Sequence, residues 1–219
     1  MSSYGPLTAS NPTTFNFTGF CPEAILVDTV DASLVIDSLS VTVAGEQKQE
    51  VDDQQVIQAM SSIAMAGLLG ASVKQGQLIK IANGQVDIGE GQQCRVVLGN
   101  AGATTPTVYA FSTAKGNRAY ESNQDSINAR ANQKIQDVDF LLFEDTNFSK
   151  ATINYRDGHV ESDLSLVEIA AMNAAVNPVA DADGKVSGVN CVSFNRLDNE
   201  SVVLFAGTGG ALPYYYLNL

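Results

Sequence analysis

Two passages of this chain follow one order. Near mid-chain it reads Val96-Val97-Leu98, then a Gly/Ala/Asn/Thr stretch over 99–105, then Pro106 and, three residues on, Tyr109. The later passage reads Val202-Val203-Leu204-Phe205-Ala206, then Gly207-Thr208-Gly209-Gly210-Ala211, then Pro213 and Tyr216, an offset of 106 residues from the first. A β-branched run favours a strand, glycine offers the positive φ of a turn, and proline is tolerated where a strand begins. The expectation is a β-hairpin over 96–111 and another over 202–217.

A second echo lies upstream of each passage, in the same order. Leu34 to Val43 reads as a strand, Gly45 as a turn, and Val51 to Leu69 as a helix. Phe140 to Tyr155, Gly158, and Leu164 to Val176 repeat that sequence of elements. Ile57-Gln58-Ala59-Met60 corresponds to Ile169-Ala170-Ala171-Met172 at an offset of 112. Two landmarks in one order at nearly one spacing indicate a duplicated unit of about 100 residues. The expected organisation is an N-terminal arm over 1–14, a first unit over 15–112, a polar linker over 113–136 and a second unit over 137–219.

Composition narrows the class. The 219 residues are 45% hydrophobic and 16% charged, which gives a folded chain with a core. Eighteen glycines with many Ser, Thr and Asn fit frequent turns and an all-β fold. The net charge of −12 divides evenly, −6 over 1–112 and −6 over 113–219. Neither half offers a basic patch, so direct nucleic-acid binding is not expected. Cys21, Cys94 and Cys191 are odd in number and far apart, which suits buried thiols in a reducing compartment better than a disulfide framework. The start, Met1-Ser2-Ser3-Tyr4-Gly5-Pro6, shows no basic or apolar leader region, and no apolar run approaches the ~20 residues of a membrane span. Synthesis and folding in a cytoplasm are the expectation.

Along the chain, Phe15, Phe17 and Phe20 begin the first expected strand, followed by Ala24 to Val30. Asp52-Asp53 precede an apolar stripe at Val56, Ile57, Met60, Ile63, Ala64 and Leu68, with the acids at the helix end that favours them. Residues 112–136 are poor in apolar side chains, with Tyr120, Ile127 and Ile135 as anchors and room for one short helix. In the second half, Arg156-Asp157-Gly158-His159 reads as a tight turn. Ser162 or Asp163 is the expected cap of the second helix, and Asn177-Pro178 its stop. The Tyr-rich ending is expected to be tied into a sheet.

Chemistry is sparse. His159, the only histidine, would have to serve any triad or multi-histidine centre, and its place in a turn reads equally as an exposed residue. Asp181-Ala182-Asp183-Gly184-Lys185 opens like a calcium loop, but the twelfth position is Val192, which favours a polar turn. Gly207-Thr208-Gly209-Gly210 lacks the helix and lysine of a phosphate loop and reads as a hairpin turn. Tyr214-Tyr215-Tyr216 alternates faces, one for the core and one for solvent or a subunit contact. No catalytic, cofactor or metal residue is assigned.

Ser40 to Met60, Thr152 to Met172 and the paired passages at 96–111 and 202–217 give the chain a resemblance to double jelly-roll major capsid proteins of icosahedral, membrane-containing viruses of bacteria and archaea. The resemblance implies an all-β chain of two tandem jelly-roll sandwiches with short helices. It implies homotrimers that present six sandwiches as a pseudo-hexamer and tile, with other capsid proteins, around an internal lipid membrane in the virion. It brings no catalytic residue and no cofactor. With 219 residues the loops must be short, which leaves open a single jelly roll with insertions or a minor capsid role. Two other classes compete: a β-sandwich module that binds carbohydrate or a receptor, and a hydrolase that uses a carboxylate pair.

Overall fold

The structure is a computed structural model and describes residues 2–7, 14–19, 21–22, 24–28, 36–68, 77–80, 89–100, 107–112 and 121–218. Phe20, residues 29–35 and residues 81–88 lie outside this set, as does the stretch 113–120.

The chain divides into two compact units at Asn123/Gln124. The first holds β1 (Ser2–Leu7), β2 (Thr14–Thr18), β3 (Ala24–Asp28), β4 (Ile36–Val43), β5 (Glu46–Val51), α1 (Gln54–Leu68), β6 (Gln77–Lys80), β7 (Gln93–Asn100) and β8 (Thr107–Ser112). The second begins with β9 (Glu121–Ile127), in which the division falls. It continues through β10 (Asn132–Gln136), β11 (Phe140–Phe143), β12 (Phe148–Tyr155), β13 (Val160–Leu164) and α2 (Leu166–Val176). It ends with β14 (Asn190–Ser193), α3 (Phe194–Leu197), β15 (Asn199–Ala206) and β16 (Leu212–Asn218).

Both units are wound identically. The sheets of the first run β1-β8-β3-β6 and β2-β7-β4-β5, those of the second β9-β16-β11-β14 and β10-β15-β12-β13. Counted from its own start, each unit therefore has strand orders 1-8-3-6 and 2-7-4-5, with a helix between the fifth and sixth strands. This is the double-sheet arrangement of a jelly roll, and the chain carries it twice. Every pairing with a resolved register is antiparallel.

Period-two alternation explains the core. In β4 the buried residues Leu39, Val41 and Val43 alternate with half-exposed polar ones. Each of the eight strands of the second unit sends at least one side chain into a single apolar cluster, from Ile127 on β9 and Ile135 on β10 to Leu212 and Tyr214 on β16. The two longer helices, α1 and α2, are started by side-chain caps. Asp53 accepts the Val56 amide at 2.8 Å ahead of α1. At α2 the cap is Ser165, whose hydroxyl accepts the Glu168 amide while Glu168 accepts the Ser165 amide at 2.8 Å.

Four expectations are corrected. The passages 96–111 and 202–217 are not hairpins: β7 and β8 belong to different sheets, as do β15 and β16, so each loop is a corner between sheets. Strand–loop–strand chemistry is the same in both cases, and only distant partners decide between them. The arm over 1–14 contains β1, which pairs with β8 from Ser2↔Ser112 to Leu7↔Val108. Gly5-Pro6 forms a bulge in it: the register shifts between Tyr4 and Leu7, and Gly5 has φ 136°. The linker over 113–136 contains β9 and β10, edge strands in which Gln124 to Ser126 and Asn132 to Lys134 are exposed and one isoleucine each, Ile127 and Ile135, is buried. Its expected short helix does not occur among the described residues. Finally, Ser162 and Asp163 lie in β13 and do not cap α2.

Because Ile135 is 6% exposed and belongs to the apolar cluster, Ile135→Ala should lower unfolding free energy by about 2–5 kcal/mol. Denaturant titration measures it; a neutral result would return this segment to the status of a linker.

Candidate functional site

The residues that sequence reasoning marked for chemistry do not converge. His159 sits at the end of the β12–β13 turn, its side chain 59% exposed, with Nε2 3.5 Å from Glu161 and its ring 5.4 Å from that of Tyr155. The turn itself is local: Tyr155 N–H donates to the His159 carbonyl, Gly158 N–H to the Tyr155 carbonyl, and Gly158 has φ 86°. A shallow polar cleft of about 300 Å³ opens there, lined by Lys134, Asn154 and Glu200 among others. Burial, together with the charges of Glu161 and Asp157, pushes the Tyr155 phenol above its usual range.

The Asp181–Lys185 loop is a self-satisfied turn. Asp181 Oδ1 accepts the amides of Asp183 at 3.0 Å and Lys185 at 2.9 Å. Lys185 Nζ reaches the Asp145 carboxylate at 2.7 and 2.9 Å, and Asn190 donates to that carboxylate at 2.6 Å. A cation therefore already occupies the nearest carboxylate. Asn173, fully buried in α2, donates to the Gly184 carbonyl at 2.6 Å and clamps the loop to the helix. Among the described residues, no group of three or more His, Cys, Asp or Glu could hold a metal ion.

Gly207, Gly209 and Gly210 do not supply a left-handed turn, since none has positive φ. Their smallness makes room for Asn147. A Cβ on Gly209 would lie 2.6 Å from Asn147 Oδ1, and one on Gly210 3.0 Å from Nδ2. Asn147 holds the β15–β16 corner at both ends: its carbonyl accepts the Gly207 amide at 2.6 Å, and Nδ2 donates to the Ala211 carbonyl at 2.9 Å.

The Tyr-rich strand β16 runs between β11 and β9. Tyr214 packs in the core and its hydroxyl donates to Asp125 on β9 at 3.0 Å. Burial and that carboxylate push its phenol well up. Tyr215 points the other way and is only 3% exposed, so within the single chain it is not a free subunit contact. The three cysteines are buried and outside disulfides. Among the described residues, no helix is long and apolar enough to cross a membrane.

What the residues build is a pair of sandwiches most of whose edges are guarded. The edge strands β5, β9, β10 and β13 carry charges such as Glu46, Lys48, Asp125, Lys134 and Glu161, a device that discourages strand addition. Of the other four edges, β6 and β14 are packed against α1 and α2, β1 is bulged at Gly5, and β2 carries no charged residue.

These features define the class: an all-β double jelly-roll protein. Among solved structures, the chain is similar to the major capsid protein P2 from Bacteriophage PM2, with a TM-score of 0.55 and 10% identity over 97% of this chain and 93% of that one. It is similar also to the STIV MCP, a major capsid protein, with a TM-score of 0.55 and 10% identity over 100% of this chain and 94% of that one. At this identity the likeness speaks for the fold. No protein-family model matches the chain, and no curated protein matches it in sequence.

Two predictions follow from the loop chemistry. Burial acts to raise the Asp145 carboxyl, but the hydrogen bonds from Lys185 and Asn190 and the Lys185 charge outweigh it and hold the carboxyl below its usual range. The linked stability is therefore present above the ordinary carboxylate pKa of about 4 and is lost as pH falls through the depressed value. Asp145→Asn should flatten the acid limb of stability against pH, modestly, because the side chain is 54% exposed and salt-screened. Gly184 has φ 72°, and a Cβ there would lie 2.0 Å from the Ala170 carbonyl oxygen. Gly184→Ala should cost more than about 1 kcal/mol, since left-handed strain and backbone displacement add; equal midpoints in urea would contradict the clamp.

Proposed function

We propose that this chain is a structural capsid protein of a virus, that it assembles as homotrimers, and that the trimers build an icosahedral shell as pseudo-hexameric capsomers. The observation that carries the reading is the repeated winding: orders 1-8-3-6 and 2-7-4-5 occur in both units, on a chain whose full length matches two major capsid proteins. Two such units on one chain let three chains place six similar sandwiches around a threefold axis, which approximates sixfold packing with closed symmetry. In this reading the partners are other copies of the chain and other capsid proteins, the location is the virion after synthesis in a host cytoplasm, and the shell encloses a lipid membrane.

The acidity suits the role. A chain of net charge −12 repels nucleic acid, so enclosure, not packaging by direct contact, is its part. A shell role also asks no turnover of the chain, and neither nucleophile nor acid–base pair is assigned to it.

Light scattering and native mass spectrometry should find three copies per particle, and negative-stain averages of that particle should show a hexagonal outline. A strictly monomeric protein at every concentration and salt tested would overturn the assignment.

A further inference from the structure

Cys21 and Cys94 lie 73 residues apart in sequence, yet their sulfurs are 3.4 Å apart. Both are fully buried. Cys94 is on the inward-facing row of β7 with Val96 and Leu98, opposite Phe17 of β2 and Val43 of β4. Cys21 follows the end of β2, after Gly19 (φ 76°) turns the chain and its amide donates to the Gln92 carbonyl at 2.8 Å. From there the chain leaves the sheet of β2 and enters β3 in the other sheet. The pair therefore stands where the backbone crosses between the layers of the first sandwich.

We propose that Cys21 and Cys94 are a modification site: a dithiol that closes to an intrachain disulfide and staples the β2–β3 crossing to β7. The sequence reading treated all three cysteines as separate thiols, because a spacing of 73 residues carries no signal of its own. The fold supplies the juxtaposition, and a cysteine on a connecting segment can close the remaining gap by side-chain rotation and a small shift of that segment.

The step balances with a low-molecular-weight disulfide as oxidant. One cysteine thiolate attacks a sulfur of that disulfide, forms a mixed disulfide and releases one small thiolate. The second cysteine, deprotonated, then attacks the protein sulfur, forms the Cys21–Cys94 bond and displaces the other small thiolate. Two protein thiols lose two protons and two electrons, and the oxidant leaves as two thiols. Burial and the neighbouring sulfur hold the Cys94 thiol in its protonated form, so closure in the folded protein is slow and the dithiol persists under reducing conditions. Closure belongs to folding or to opening of the crossing in an oxidising medium. The inference rests on the first unit alone and stands whether or not the chain builds a shell.

The full chain should be refolded from denaturant in a mixture of oxidised and reduced glutathione, so that access to the sulfurs does not limit the result. Alkylation under denaturing conditions should then modify one of the three cysteines, and the mass should fall by two hydrogens. Peptide mapping should join Cys21 to Cys94 and leave Cys191 alkylated. A closed loop of this length should raise the unfolding midpoint by roughly 10 °C over the reduced protein. Cys94→Ala should abolish the shift, and Cys191→Ala, which keeps the pair, should retain it with no alkylated cysteine left. Three alkylated cysteines, a bond to Cys191, a glutathione adduct that does not resolve, or a bond between two chains would each overturn the proposal.

Discussion

Each unit is closed by strands that arrive last and lie in the middle. β8 runs between β1 and β3, and β16 between β9 and β11; β7 and β15 likewise run between the second and fourth strands of their units. Until those late strands are in place, the first strand is not joined to the third nor the second to the fourth, and each sheet lacks a central strand. Leu204 pairs at once with Gln133 and Ala151 across two sheet partners, and is itself wholly buried. Such pairings are long-range, so the entropy of closing the loops precedes most of the gain from burial. The order of strands in the sheets is thus the constraint on which core, corners and edges all depend.

That dependence explains what could be read from the chain alone. Local chemistry was legible. The stripe from Val56 to Leu68 became α1, Asp53 its cap, and Asn177 the end of α2, because each is decided within a few residues. Ile127 and Ile135 stood out as anchors, and both are core residues. The echo of Val-Val-Leu, small residues, proline and tyrosine did mark equivalent elements. Its geometry was misread, since a hairpin and a corner between sheets differ only in which distant strand each arm joins. The segment 121–136 was mistaken for a linker for a related reason. An edge strand has one partner and one buried side, so two isoleucines among Asn, Gln, Ser and Asp suffice to hold it, and that composition is also the composition of a loop.

The two units have kept physical roles where they have not kept residues. The turn between the fourth and fifth strands is Ala44-Gly45 in one, both at positive φ, and Arg156-Asp157-Gly158-His159 in the other, where only Gly158 is left-handed. The glycines have φ of 87° and 86° at turns that differ in length by two residues. The helix that follows is capped by an aspartate in one and by a serine–glutamate box in the other. Capping requires an oxygen at one place and not a particular side chain, so the signal survives as chemistry while identity fades. This is why pattern found the duplication.

Edges decide what such a molecule can do in company. A sheet with open hydrophobic edges, brought to high local density, fuses with its neighbours through main-chain pairing. Here β6 and β14 are packed by the helices, β5, β9, β10 and β13 carry charge, and β1 is bulged at Gly5 beside Pro6, which has no N–H to offer. Each of these devices discourages strand addition at the edge that carries it, and β2, an edge strand without a charge, carries none of them. In the shell proposed above, where chains would crowd side by side, such devices would favour contact through sheet faces, corners and loops over extension of a sheet, so that bonding stays strong within each sandwich and distinct from association between sandwiches.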